Sequence, residues 1–193
     1  MAYDIKDVFY LDTTLDLVNG AGGGASTQLA LSAYVDEIAR GRSKGTGLAI
    51  YKSHFSVDDS GSNDPPGVTE AGYFRAALIA GLGTGEQAVS AISFANNTIN
   101  AANDLAVAGF DWYGADAFGT SVGPSVSASG MAPSMWLEPS EKVPYVIVRD
   151  NVCLVAEVGA NLSSAAKVSC RIECAQISLD QATLNQLLRT QTV

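Results

Sequence analysis

Apolar residues recur at every second position through much of this chain, a period that predicts β-strands rather than helices. Across residues 27–39, Leu29, Leu31, Ala33 and Val35 alternate with other side chains. A half-buried strand is predicted there, with a helix as the alternative over 33–40, where Ala and Glu favour it. Residues 48–57 alternate again, with Ala49, Tyr51, Ser53, Phe55 and Val57 on one side and Ile50, Lys52 and His54 on the other. The Gly-rich segment 41–47 between them reads as a turn, so the pair is predicted to form a hairpin. Residues 58–67 combine Asp, Ser, Gly and Pro and are predicted to be a loop. A third strand is predicted over 73–82. Residues 98–109 read as a short helix, with Asn97 or Thr98 as its cap and Gly109 as its stop.

The C-terminal third is more regular. Residues 145–148 and 152–160 are predicted to be strands joined as a second hairpin by Arg149, Asp150 and Asn151. Residues 167–177 alternate strictly: Val168, Cys170, Ile172 and Cys174 point inward, and Ser169, Arg171 and Glu173 point outward. Ser178 and Gln181 fit a capping box, in which the Ser hydroxyl takes a backbone N–H of the first turn. They open a short helix whose Leu184, Leu187 and Leu188 form one apolar stripe. The sum is six to eight strands, one or two short helices and uneven long connections. That pattern predicts an all-β fold for residues 1–193, a single β-sandwich or jelly-roll domain. Residues 110–144 are predicted to be mostly loop, and a loop that long inside a compact domain is usually functional or contact-making. Its aromatic residues Trp112, Tyr113, Phe118 and Trp136 are the candidate interface residues, because aromatics dominate interface centres.

Composition adds to this picture. The chain has 193 residues, enough to bury one core, and 47% of them are hydrophobic. Charged residues make up only 16%, against roughly a quarter in ordinary globular proteins. Part of the surface is therefore expected to be polar without charge, or to be covered by other subunits. The net charge of −9 and the lack of a basic arm argue against direct binding of nucleic acid, which needs clustered Lys and Arg. No apolar run is long enough for a transmembrane helix. The N-terminus has no basic region followed by an apolar one, so no signal peptide is expected.

Candidate chemistry is sparse. Gly81–Glu86 has alternating glycines but matches neither a phosphate loop nor a dinucleotide fingerprint, so no cofactor is expected. His54 is the single histidine. It is expected to be partly exposed on its strand, without the partners that catalysis or zinc binding needs. Asp58, Asp59, Asn63 and Asp64 could hold a calcium ion weakly, but Pro65 and Pro66 stiffen the loop away from wrapping one, and no metal is expected. Glu138, Glu141 and Asp150 are candidate paired carboxylates for glycoside cleavage, but no sequence feature selects them. Of the three cysteines, Cys170 and Cys174 share a strand face about 13 Å apart, too far to bond each other. Both are expected to be buried and inert, which leaves open a bond from Cys153 to one of them. No catalytic residue is expected.

Several segments together resemble a known family. They are YLDTTLDLVNG, the strand pair around RGRSKGTG, the aromatic segment FDWYG and the ending VPYVIVRDNVCLVAEVGANLSSAAKVSCRIECAQISL. In size and pattern the chain resembles the small major capsid proteins of icosahedral viruses with an internal membrane. These are the sphaerolipovirus type, found in haloarchaeal and thermophilic-bacterial hosts. The resemblance implies one eight-stranded jelly roll standing upright in a capsid shell. It implies a homo-oligomeric capsomer with a second capsid protein as partner, close to the viral membrane and without enzymatic activity. The alternatives are a carbohydrate-binding module that presents Trp112, Tyr113 and Trp136 in a groove, a jelly-roll enzyme acting on glycosides, and a subunit of a non-viral shell.

Overall fold

A computed structural model describes residues 8–17, 24–36, 44–62, 72–81, 99–114, 134–160, 162 and 164–191. Among these residues the protein is mostly strand, with one short helix. The elements are β1 (Phe9–Leu17), β2 (Gly24–Ala30), β3 (Lys44–Asp59), β4 (Tyr73–Ala80) and β5 (Ala106–Tyr113), then β6 (Ser134–Leu137), β7 (Tyr145–Ile147), β8 (Asn151–Ala160), β9 (Ala166–Asp180) and α1 (Gln181–Thr190). They form two antiparallel sheets. Sheet one has the order β1-β9-β3-β7, and sheet two has the order β2-β8-β4-β5-β6.

Alternation decides which side chains meet between the sheets, because successive residues of a strand point to opposite faces. From sheet one come Leu15, Leu17, Leu48, Ile50, Val168 and Ile172; from sheet two come Phe74, Leu78, Phe110, Trp112 and Leu154. Phe110 is the aromatic centre of this core, with the Phe55 ring 4.7 Å away and the Phe74 ring 5.9 Å away. The inward phase read for Val168, Cys170, Ile172 and Cys174 is borne out.

The strand read over 27–39 is shorter than predicted. β2 ends at Ala30, and Leu31 instead closes one turn by accepting the N–H groups of Tyr34 and Val35. The predicted hairpin is absent: β2 pairs with β8, while β3 pairs with β9 and β7 in the other sheet. β3 also begins earlier than expected, so Gly45 and Gly47 lie in a strand and not in a turn. A side chain at Gly47 would meet the Ile147 carbonyl oxygen at 3.1 Å, so glycine here permits close backbone approach.

Within β3 the predicted alternation breaks at a bulge between Ile50 and Lys52. Tyr51 is the extra residue, and it resets the phase. Leu48 and Ile50 face the core before it, and Phe55 and Val57 face the core after it. β3 then runs on to Asp59, into the segment predicted as loop.

The helix predicted over 98–109 is replaced by turns and β5. Asn100 and Asn103 accept the N–H groups of Ala102 and Leu105 at 2.8 and 3.0 Å. Such side-chain bonds compete with a helix and favour turns. Residues 106–110 are all buried, and Val107, Ala108, Phe110 and Trp112 enter the core between the sheets. Residues 110–113 and 134–137, predicted as loop, are strand. The second predicted hairpin is also absent, because β7 joins sheet one and β8 joins sheet two.

The helix begins two residues later than the capping box implied. Asp180 is its cap and accepts the Thr183 N–H at 2.7 Å, while Ser178 is still in β9. The stripe docks as expected: Leu184 is fully buried against Ala49, Ile177 and Leu179 on the outer side of sheet one, with Leu187 and Leu188 partly buried beside it. Past the helix, the Gln191 amide accepts the Val148 N–H at 3.1 Å and donates to the Val146 carbonyl at 2.6 Å. A side chain thereby occupies backbone groups at the margin of β7, an edge strand that would otherwise offer them to another chain.

Candidate functional site

The open part of sheet one's outer face carries the densest polar chemistry among the described residues. Strand register aligns it in four rows across β1, β9 and β3: Tyr10–Glu173–Lys52, Asp12–Arg171–His54, Thr14–Ser169–Ser56 and Asp16–Lys167–Asp58. Acids face bases in three of the rows, an arrangement that supports pairing of the strands. His54 Nε2 lies 2.8 Å from a Glu173 carboxylate oxygen, one row along on the diagonal. The side chains of this pair are 45% and 29% exposed, so water screens it. Arg171 is exposed, between Asp12 and His54 in the register.

The third row is built only from hydroxyls. A depression of about 760 Å³ on this face is lined by Thr14, Ser56 and Ser169 together with Tyr10, Asp12, His54, Arg171 and Glu173, and also by Thr13, Phe55 and Cys170. The Tyr10 ring is 58% exposed at its margin.

Sheet two's outer face is different. Arg75 and Asp111, neighbours on β4 and β5, form a two-pronged pair at 2.6 and 2.9 Å. This hydrogen bonding to Asp111 raises the Arg75 pKa further above its ordinary value. The Arg75 guanidinium sits 5.7 Å from the centre of the Trp136 ring. That ring lies flat on Gly109, where any β-carbon would collide with it. Register places Glu157 beside Arg75 on this face and Ser26 and Gln28 toward its β2 edge, while Ala77, Ile79, Cys153 and Val155 pack beneath Ile99 and Leu105, with Trp136 against them.

The four interface candidates therefore separate. Trp112 is inside the sandwich, 7% exposed and stacked on Phe74 at 5.2 Å. It is a core residue of β5 and not part of a loop. Tyr113 stacks on Tyr73 at 5.9 Å on the outer side of the same strand pair. Trp136 is on β6, seated on Gly109, and Phe118 lies outside the described residues.

The thiols behave as the alternation implied. Cys153, Cys170 and Cys174 are all buried and free, with no bond from Cys153 to the others. Burial pushes the thiols of Cys170 and Cys174 up to about 12, and raises that of Cys153 as well. Cys170 and Cys174 lie between the sheets, whereas Cys153 lies on the far side of sheet two. His54 is partly exposed on its strand, as expected.

The acidic cluster is divided. Asp58 and Asp59 end β3, and Asp59 accepts the N–H groups of Gly61 and Ser62, while Asn63 and Asp64 lie outside the described residues. The Gly81–Glu86 segment is described only at Gly81, which takes the left-handed conformation, φ 69°. Glu138, Glu141 and Asp150 are exposed. Among the described residues no cluster of three or more His, Cys, Asp or Glu is placed to hold a metal ion, and no helix is long and apolar enough to cross a membrane.

The polar face of sheet one was partly readable beforehand, since the outward phase of Arg171, Glu173 and His54 follows from alternation. β1 was not predicted, although Phe9, Leu11, Thr13, Leu15 and Leu17 supply that signal. No protein-family model and no curated protein matches this chain.

Proposed function

We propose that this chain is a structural subunit of an icosahedral capsid, built on a jelly roll and working through contacts with copies of itself and with a second capsid protein. One observation carries the reading: the order in which the strands pair. With the four-residue β6 set aside, the first strand pairs with the last and the series continues inward: β1 with β9, β2 with β8, β3 with β7, β4 with β5. That is the ladder of one long two-stranded ribbon. Rolling the ribbon up adds the joins β3 to β9 and β4 to β8, which close it into two sheets. A rolled ribbon of eight strands is a jelly roll, a fold used by viral capsid proteins, lectins and cupins. β6 is then an addition at the margin of sheet two.

Fold alone does not select among these uses. The family resemblance of the sequence favours the capsid. So does the low charge, most marked in residues 117–137, which contain no Asp, Glu, Lys or Arg. An uncharged stretch of that length suits contact with neighbouring subunits. The acidic balance fits a shell separated from its genome by a membrane, with no direct contact to nucleic acid. In this reading the protein resides in the virion and catalyses nothing. The runner-up, a carbohydrate-binding or glycoside-active module that stacks sugars on Trp112, is disfavoured because that ring packs inside the sandwich.

Light scattering and negative-stain electron microscopy of the purified chain, from low to multimolar salt, test the proposal. Capsomer-sized oligomers or closed shells are expected, alone or after adding a second capsid protein from the source particle. A chain that stays monomeric at every concentration and salt, and is absent from particles of its source, overturns it.

A further inference from the structure

We propose that helix α1 is a latch on sheet one: through Gln191 it closes the β7 edge against a strand from a second copy of this chain, and the seating of Leu184 holds it shut. β7 is the last strand of its sheet, with β3 on one side only. Val146 and Val148 are two apart, so their backbone groups point to one side of the strand. The Gln191 amide takes both, accepting the Val148 N–H at 3.1 Å and donating to the Val146 carbonyl at 2.6 Å. Gln191 is 4% exposed, so water does not compete for these bonds. A carboxamide carries the same acceptor and donor as a peptide group. What can replace it on a carbonyl and an N–H of an edge strand is therefore the backbone of another strand. In the purified protein that strand belongs to a second copy.

The latch has one main anchor. Leu184 is the buried residue of α1, seated with Ala49, Ile177 and Leu179. Gly45 makes room for it, since a β-carbon there would collide with a Leu184 methyl. Val148 belongs to the same cluster, so the helix that positions Gln191 also covers the residue whose N–H it takes. A ten-residue helix is too short to be stable alone in water, so α1 stays helical because it is docked. Gln191 follows the helix directly, its own N–H held by the Leu187 carbonyl at 2.9 Å. Undocking Leu184 therefore releases Gln191 and opens the edge. The core between the sheets is a separate cluster and stays closed, so the opening is local. The inference does not rest on the capsid reading, because it concerns the edge of a single chain.

Native-state hydrogen exchange of the full chain tests the latch. Gln191→Ala is expected to speed exchange of the Val148 N–H about fivefold or more, the loss of one hydrogen bond. Leu184→Ala, which leaves Gln191 in place and keeps a good helix former, is expected to speed it as well. In both variants Val148 exchanges before the amides of β4 and β8. Gln191→Glu keeps the reach and the acceptor but removes the donor, and is expected to give a smaller acceleration with the helix still docked. Light scattering at rising concentration tests the occupant. Gln191→Ala is expected to self-associate beyond the parent, and Val146→Pro added to it is expected to reverse this, because proline removes an outward N–H and blocks strand addition at an edge. Unchanged Val148 exchange in Leu184→Ala, exchange of Val148 only together with β4 and β8, no association beyond the parent's, or association that survives the proline each overturns the inference. Every reading is a difference from the parent, so a parent that forms no capsomer fails the capsid proposal and not this one.

Discussion

The outer faces of the two sheets begin from the same alternation and end in opposite environments. On sheet two, the outward positions Ala77, Ile79, Cys153 and Val155 lie under Ile99, Leu105 and Trp136. On sheet one, helix α1 covers Ala49, Ile177 and Leu179 at one end, and the other end stays open with its four polar rows. β9 crosses this boundary within a single strand: Ser169, Arg171 and Glu173 face water, and two residues later Ala175 begins the covered part. A pair of side chains on neighbouring strands can be compared on each face. Arg75–Asp111 is two-pronged, with side chains 35% and 18% exposed, whereas His54–Glu173 has one contact and is more open. Covering therefore decides where aromatic and charged residues contribute to stability, and it leaves sheet one's open end for contact with other molecules.

The largest effect is expected from Trp112→Ala, which empties a core position between Phe74 and the second sheet. Removing a large buried ring costs about 3–5 kcal/mol. Thermal melting and assembly should fall together. A variant that melts like the parent but fails to form oligomers would return Trp112 to the interface role its sequence context implied.

Next is Arg75→Met on sheet two. It removes the fork from Asp111 and leaves that half-buried carboxylate without its partner, a loss of about 1–3 kcal/mol. Denaturant titration measures it, with little dependence on salt because the pair is partly covered. A cost below that range, or one that vanishes in high salt, would make the two faces electrostatically alike.

Ser53→Ala has the opposite sign. Ser53 is 3% exposed on β3, just past the bulge, and its hydroxyl has no partner among the described residues. A buried hydroxyl that makes no bond loses its hydration without return. The alanine variant should be more stable by about 1 kcal/mol. A destabilised variant would mean that the hydroxyl has a partner.

The thiols sharpen the same contrast. All three should resist a thiol reagent in the native protein, since burial keeps the reactive thiolate scarce. When labelling is followed under mild denaturant, Cys153 should react before Cys170 and Cys174. It sits beneath loop and β6 contacts, and the other two sit between the sheets. Labelling of Cys170 first would place the weaker packing inside the sandwich.

These contrasts explain what was legible in the sequence. Alternation found β4, β8 and β9 and the burial of Cys170 and Cys174, because a one-sided strand records its own phase. It could not record partners. Both predicted hairpins fail because the strands concerned diverge into different sheets, where β1 pairs with β9 and β2 with β8, segments far apart in the chain. The bulge at Tyr51 hid the true phase of β3, since a single extra residue swaps its faces. The helix predicted over 98–109 rests on a cap at Asn97 or Thr98 and a stop at Gly109. It lost to the turns made by Asn100 and Asn103 and to the space for small residues beside Phe110. The interface candidates rested on a loop assignment, and Trp112 left that list once β5 was a strand. The polar rows of sheet one needed the register of β1 on β9, which no local pattern contains.

The smallest effect is expected from His54→Gln, and it is the sharpest test of the open face. His54 is the single histidine, and its Nε2 lies 2.8 Å from a Glu173 carboxylate oxygen on the four rows. Two exposed side chains held together lose rotamer freedom, and water and salt weaken their attraction, so such pairs contribute about 0.2–1 kcal/mol. Gln keeps a hydrogen-bonding group at the same reach, which places the loss near the bottom of that range. A double-mutant cycle with Glu173→Gln isolates the pair from the neighbouring Arg171 and Lys52 charges. The coupling should shrink further in high salt, where the Arg75–Asp111 coupling measured in the same way persists. A His54–Glu173 coupling as large and salt-resistant as that of Arg75–Asp111 would mean that this end of sheet one is covered after all. The polar rows would then be an internal seam that a neighbouring subunit could not reach.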